Sequence, residues 1–191
     1  MIPRNKTSAP VLRWVQRLLA ACAACFLLNG CVSRPSGFEV VSGFDADRYL
    51  GKWYEIARLD HSFERGLDNV TAEYSKRREG GLTVLNRGYD DLVSEWRQVK
   101  GVAYLRGRQD SGSLKVSFFW PFYGTYDIII LDHEGYSYAV VAGSGRSYLW
   151  ILARQPALDA ELLSSLVRKC EELGFDVSAL VYVKHDKAPQ R

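Results

Sequence analysis

Between residues 52 and 153 the chain is divided into eight short stretches that favour extended backbone, most of them separated by turn-forming residues. They cover about 52–59, 70–75, 82–89, 96–105, 114–119, 125–131, 136–142 and 148–153. The clearest alternate strictly: Val70, Ala72 and Tyr74 fall on one face, as do Leu82, Val84 and Asn86, then Leu114, Val116 and Phe118. A period of two marks a strand with one face against a core. The spacers Arg77-Arg78-Glu79-Gly80-Gly81, Asp132-His133-Glu134-Gly135 and Gly143-Ser144-Gly145-Arg146 are turn chemistry. Eight strands joined in sequence by short turns pair as antiparallel neighbours. Closing them on themselves removes the two exposed edges. The expectation is an all-β protein, an eight-stranded antiparallel up-and-down barrel.

The period changes after Pro156. Leu158, Leu162, Leu163, Leu166, Val167, Cys170 and Leu173 recur at helical spacing, with Asp159 and Glu161 in the first turn and Gly174 as C-cap. One apolar stripe needs one surface, so this C-terminal helix is placed on the outside of the barrel. Phe175 to Val183 reads as a short extra strand, and 185–191 as a polar tail. Upstream, Asp45 suits the cap of a short helical turn through Tyr49. The strand that follows begins Gly51-Lys52-Trp53, a turn glycine before a bulky ring.

Residues 1–30 have a different character. Arg4, Lys6, Arg13 and Arg17 occur without a single acid, and Leu18 to Leu28 is apolar throughout. Eleven apolar residues are too few for a membrane anchor, which needs roughly 20. The pattern is that of a secretory leader. Its end, Leu28-Asn29-Gly30-Cys31, resembles a bacterial lipobox. That resemblance implies cleavage before Cys31 and acylation of that cysteine. Val32 in the next position, where aspartate would signal inner-membrane retention, implies the outer membrane, with the protein on its periplasmic face. The organisation predicted is a lipoprotein signal peptide over 1–30, an acylated tether over 31–42, a barrel plus helix over 43–184, and the tail. Removing the four basic leader residues takes the formal charge from +3 to −1, so charge gives no reason to expect nucleic acid as a partner. With Cys22 and Cys25 in the leader and Cys31 acylated, Cys170 has no partner for a disulfide.

Three stretches together resemble the lipocalin family. Gly51-Lys52-Trp53-Tyr54-Glu55-Ile56-Ala57-Arg58 matches the first lipocalin signature in full. Tyr126-Asp127-Ile128-Ile129-Ile130-Leu131-Asp132 stands where the second belongs and keeps only its aspartate, Asp132. Arg154, after Tyr148-Leu149-Trp150-Ile151-Leu152, matches the single arginine of the third. The likeness spans about Phe38 to Val183. With the lipobox it is similar to the bacterial, Blc-type lipoprotein branch, and also to the apolipoprotein D and plant temperature-induced branches. The resemblance implies a lipocalin calyx in which Gly51, Trp53, Asp132 and Arg154 are structural, Trp53 closing the floor under the Arg154 guanidinium.

An eight-stranded barrel is wide enough for one small ligand. Alternation assigns Val70, Ala72, Tyr74, Val84, Asn86, Val99, Gly101, Ala103, Leu114, Val116 and Phe118 to its interior. The resemblance sets the face of the remaining strands and adds Glu55, Ala57, Tyr126, Ile128, Ile130, Tyr148 and Trp150. The set is mostly apolar and suits an acyl chain. Glu55 and Asn86 either pair with neighbours or meet a head group. Arg58, Arg65, Arg106 and Arg108 are basic side chains near loops that could meet a phosphate or carboxylate. The aromatic run Phe118-Phe119-Trp120-Pro121-Phe122-Tyr123 either folds over the core or rims the cavity mouth.

The function that follows is reversible binding of fatty acids, lysophospholipids or phospholipids for lipid storage or transport in envelope maintenance or stress, with no enzymatic activity and no cofactor. A lipocalin-fold enzyme and a structural envelope lipoprotein whose barrel is filled by its own side chains are the alternatives. No metal cluster, paired-carboxylate pattern or phosphate loop is present in the sequence. His61, His133 and His185 fall in loops and tail without a nucleophile at suggestive spacing. Homodimerisation is compatible with the resemblance, although no heptad or isolated apolar patch marks it.

Overall fold

The computed structural model describes residues 37–187. The leader, Cys31, the first part of the tether and the end of the tail lie outside the described residues. Eight strands run β1 (Gly51–Leu59), β2 (Leu67–Lys76), β3 (Leu82–Asp90), β4 (Glu95–Leu105), β5 (Ser113–Phe119), β6 (Phe122–Leu131), β7 (Tyr138–Ala142) and β8 (Leu149–Ala153). Each pairs antiparallel with the next, and β8 returns to β1. Because β1 also pairs with β2, through Gly51–Tyr54, the sheet closes into a barrel.

The upper half of β1 has a different second neighbour. There β9 (Leu180–Tyr182) pairs with Ala57–Leu59. The chain then stays on this seam. The amide N–H of Asn69 donates to the Lys184 carbonyl at 2.8 Å, and His185 Nε2 lies 2.8 Å from the Glu55 carbonyl. The Lys187 amide donates to Asn69 Oδ1 at 2.9 Å. The first residues of the polar tail therefore close the gap that β1 and β2 leave as they diverge.

Helix α1 (Ala46–Tyr49) is capped by Asp45, whose carboxylate accepts from the Asp47 and Arg48 amides. Helix α2 (Ala160–Glu172) starts at Asp159, whose side chain accepts from the amides of Glu161 and Leu162. Its buried stripe, Leu166 and Cys170, packs on outward-facing residues of β1, β7 and β8, among them Ile56, Val140 and Ile151. The apolar period begins before the helix does because residues 156–158 lead into the cap.

A second core fills the lower barrel. Trp53 is fully buried there, its Nε1–H donating to the Tyr49 carbonyl at 2.9 Å. The Arg154 guanidinium lies 3.9 Å from the centroid of the Trp53 ring. It also donates to the carbonyls of Tyr136 at 3.2 Å, Lys52 at 2.9 Å and Arg48 at 2.8 Å. One side chain thus ties β1, α1 and the loop before β7 beneath the floor. Gly51 is left-handed (φ +89°) and brings the chain past this arginine. Asp132 organises the β6–β7 turn by accepting from the Ser137 hydroxyl and from the amides of Gly135, Ser137 and Glu134, and these bonds, the hydroxyl's first, hold its carboxyl below the usual aspartate range.

Arg154→Ala removes a cation–π contact and three charge-assisted bonds, and is expected to destabilise the fold by about 2–3 kcal/mol. Arg154→Lys should recover only part, because an ammonium cannot reach all three carbonyls. Urea unfolding of the two variants checks both statements.

Candidate binding cavity

Above the floor the barrel holds a cavity of about 620 Å³. Val70, Ala72 and Tyr74 of β2, Val84 and Asn86 of β3, and Val99 of β4 line it. Val116 and Phe118 of β5, Tyr126 of β6, Glu55 of β1 and Trp150 of β8 complete the residues that alternation and resemblance placed there. The side chains that could have filled the barrel, Tyr74, Phe118, Tyr126, Tyr148 and Trp150, leave this space open.

Seven expected residues do not line it. Ala103, Leu114 and Ile128 are fully buried in the floor core, below the cavity. Gly101 is covered: a Cβ there would lie 2.7 Å from the Phe118 ring. Tyr148 precedes β8 and stands at the mouth, stacked on Trp150. Ala57 and Ile130 face the other way, toward the cluster under α2. Bulges cause both reversals. The β1–β8 register shifts between Glu55 and Ala57, and the β6–β7 register between Ile128 and Ile130. One extra residue turns the following side chains to the opposite face.

The bulge in β1 also places Arg58 inside. Arg58 is 2% exposed, and its Nη1 donates to Glu55 Oε1 at 2.7 Å. Its Nη2 donates to the carbonyls of Glu64 and Leu67 at 2.9 and 3.0 Å. Arg58 is thus a buried positioning cation, not a free loop arginine. The other basic candidates are also engaged. Arg65 pairs with Asp60, Arg108 with Asp110, and Arg106 with Asp127 and Ser113.

Glu64 and Phe63, in the loop after β1, reach the cavity although strand alternation could not place them. The Glu64 Oε2 atom accepts from Trp150 Nε1 at 3.1 Å and lies 3.1 Å from His61 Nε2. Burial works against the charge on Glu64, but His61, Trp150 and Arg58 outweigh it and hold the carboxyl below the usual glutamate range. Burial and the nearby Glu64 charge push Glu55 well up, against the pull of Arg58. The surroundings thus push the two carboxyl groups in opposite directions, Glu64 down and Glu55 up.

Three tyrosines separate cavity from floor. The Tyr49 and Tyr126 hydroxyls are 2.8 Å apart, and Tyr74 Oη donates to Tyr126 Oη at 2.7 Å. Burial raises all three phenol pKa values, so these hydroxyls stay neutral and bonded to one another.

A barrel sealed at one end by a tryptophan backed from below by an arginine, and holding an apolar cavity above it, defines a small-molecule binding protein of the calyx type. The lipocalin-like domain matches residues 44–185, and the chain belongs to the lipocalin family. It is 51% identical over 158 residues to outer membrane lipoprotein Blc of Vibrio cholerae, covering 83% of this chain and 92% of that one. Against the Escherichia coli K12 protein of the same name identity is 50%, covering 87% and 95%. Temperature-induced lipocalin-1 of Arabidopsis thaliana is 34% identical, covering 74% and 80%. Insecticyanin from the tobacco hornworm superposes with a TM-score of 0.65 over 80% of this chain and 86% of that one, at 18% identity, a likeness of fold alone.

The raised pKa of Glu55 sets a pH signature. Its contribution to stability is full below the ordinary glutamate value, about 4.3, and is lost as pH rises through its raised folded value. That of Glu64 has the opposite sign, present above the ordinary value and lost as pH falls through its lowered one. Glu55→Gln should therefore gain in melting temperature relative to the parent as pH rises from 5 to 9, while Glu64→Gln loses at neutral pH. Thermal melts across that range check this. A pH-independent difference for Glu55→Gln would contradict the assignment.

Proposed function

We propose that the protein is an outer-membrane-anchored lipid carrier, held through acylated Cys31 on the periplasmic face, that binds fatty acids, lysophospholipids or phospholipids reversibly. Its task is storage or transport of lipid in envelope maintenance or stress. The observation that carries this reading is the open apolar cavity of about 620 Å³, within the roughly 300–1,000 Å³ of small-molecule sites. The lipobox and the relatives named outer membrane lipoprotein support the anchor.

Burying about twelve methylenes would contribute about 10 kcal/mol. Ordering the chain and docking it costs several kcal/mol of that, which leaves micromolar binding as the natural scale. The tail belongs among Val70, Ala72, Val84 and Val116. Glu64 reaches the cavity from a mouth loop, and its charge disfavours an anionic group beside it. The Asn86 Oδ1 atom is buried without a hydrogen-bond partner and can accept from a hydroxyl or ammonium of the guest.

The chemistry is binding without turnover. The Cys170 thiol lies under α2, where burial pushes its pKa up to about 11, and such a thiol is not a nucleophile at neutral pH. Among the described residues no group of acids, histidines and cysteines could hold a metal ion.

Titration of the delipidated protein with fatty acid and lysophospholipid, followed by tryptophan fluorescence, tests the proposal. Saturable binding near micromolar is expected, weakened at least about tenfold by Ala72→Trp, which fills the cavity from β2. Unchanged binding in a folded Ala72→Trp variant would move the ligand out of the calyx.

A further inference from the structure

The open end of the barrel carries apolar surface that packing inside the molecule does not account for. The β5–β6 hairpin exposes Phe119, Trp120 and Phe122 by 74%, 84% and 65%. Phe63 in the loop after β1 is 57% exposed, and Leu92 and Val93, on the β3–β4 turn at the same end, are 90% and 52% exposed. Three of the four loops at the mouth thus present large apolar side chains to solvent. Phe63, Phe119 and Phe122 also line the cavity, so the apolar surface runs without a break from inside to outside. Three ion pairs lie at this end: Asp60 with Arg65, Asp90 with Arg97, and Asp91 with Lys187.

The path of the N-terminal segment supplies an occupant. Phe38 stacks on Phe175 with centroids 4.8 Å apart, and the Arg146 guanidinium covers its ring at 5.1 Å. Arg146 belongs to the β7–β8 loop, one of the mouth loops, and its Nε–H donates to the Leu173 carbonyl at the C-terminal end of α2. Phe38, next to the first described residue, is therefore held beside a mouth loop. Cys31 is seven residues further back, within about 25 Å at full extension. A bilayer holding acyl chains on Cys31 is within reach of the rim. A Trp flanked by Phe side chains is also the composition that settles at a membrane interface.

We propose that the mouth is a membrane-docking surface: the β5–β6 hairpin, with Phe63 beside it, inserts into the surface of the bilayer that holds Cys31, so that lipid passes between bilayer and cavity without crossing water. The purpose of the docking rests on the lipid-carrier reading; the docking itself rests on the exposed rim and the tether.

The test uses the full acylated chain in vesicles of phosphatidylethanolamine and phosphatidylglycerol with brominated acyl chains. Quenching of tryptophan fluorescence by the brominated lipid is expected, and Trp120→Phe should remove at least half of it. Trp120→Ser should slow uptake of a fluorescent lysophospholipid from vesicles at least fivefold while leaving the affinity for the same lipid dispersed in buffer unchanged. Trp120 that is unquenched by lipid but open to aqueous acrylamide would overturn the proposal. So would Trp120 shielded from both quenchers, which would assign the rim to a second copy of the chain in a homodimer. Lipid quenching with no binding of dispersed lipid would sustain the docking and remove the carrier reading.

Discussion

The Arg154 guanidinium over the Trp53 ring is the contact on which the rest of the architecture depends. An eight-stranded barrel open at both ends would be a tube through which water could enter. Here a buried indole blocks one end, and an arginine with three backbone acceptors holds it from below. The tyrosines 49, 74 and 126 form a second layer above it. What remains is a cup with apolar walls and one entrance. Such a cup can lower the free energy of an apolar guest by removing it from water, which a tube could not do as well.

The walls are not uniformly apolar, and the exceptions are grouped. Glu55, Arg58, Glu64 and His61 with Trp150 form one cluster where β1, its following loop and β8 meet. Arg58 bonds Glu55 and two loop carbonyls, and Glu64 accepts from Trp150 beside His61, which offsets part of the cost of burying these groups. The cluster ties the loop carrying Phe63 to the barrel wall.

Much of this was legible in the sequence where one rule operated alone. The strict alternation of Val70, Ala72 and Tyr74 and of Val84 and Asn86 places each on the cavity face, because the irregularity in β2, between Asp68 and Thr71, leaves the alternation intact from Val70 onward. The face that the resemblance set for Ala57 and Ile130 fails, because a bulge in each strand adds one residue and the face changes. Arg58 is misplaced for the same reason, since a buried arginine next to a bulge reads as an ordinary polar residue at a strand end. The depth of Ala103, Leu114 and Ile128 was also hidden. Alternation tells inside from outside but not how high in the barrel a residue sits, and the floor layer of Tyr49 and Trp53 decides that. Glu64 and Phe63 come from a loop, where no period exists to read. Gly51 and Trp53 stand out as a turn glycine before a bulky ring, but the role of Arg154 could be read only through the family resemblance.

The central claim is that the calyx holds one intact lipid. Native mass spectrometry of the acylated protein, extracted gently from its own membrane, addresses it most directly. A single noncovalent adduct is expected, with the mass of a fatty acid, lysophospholipid or phospholipid, released chemically unchanged by organic solvent and absent from the Ala72→Trp variant. A protein recovered without any adduct, or with one that survives Ala72→Trp, would contradict it.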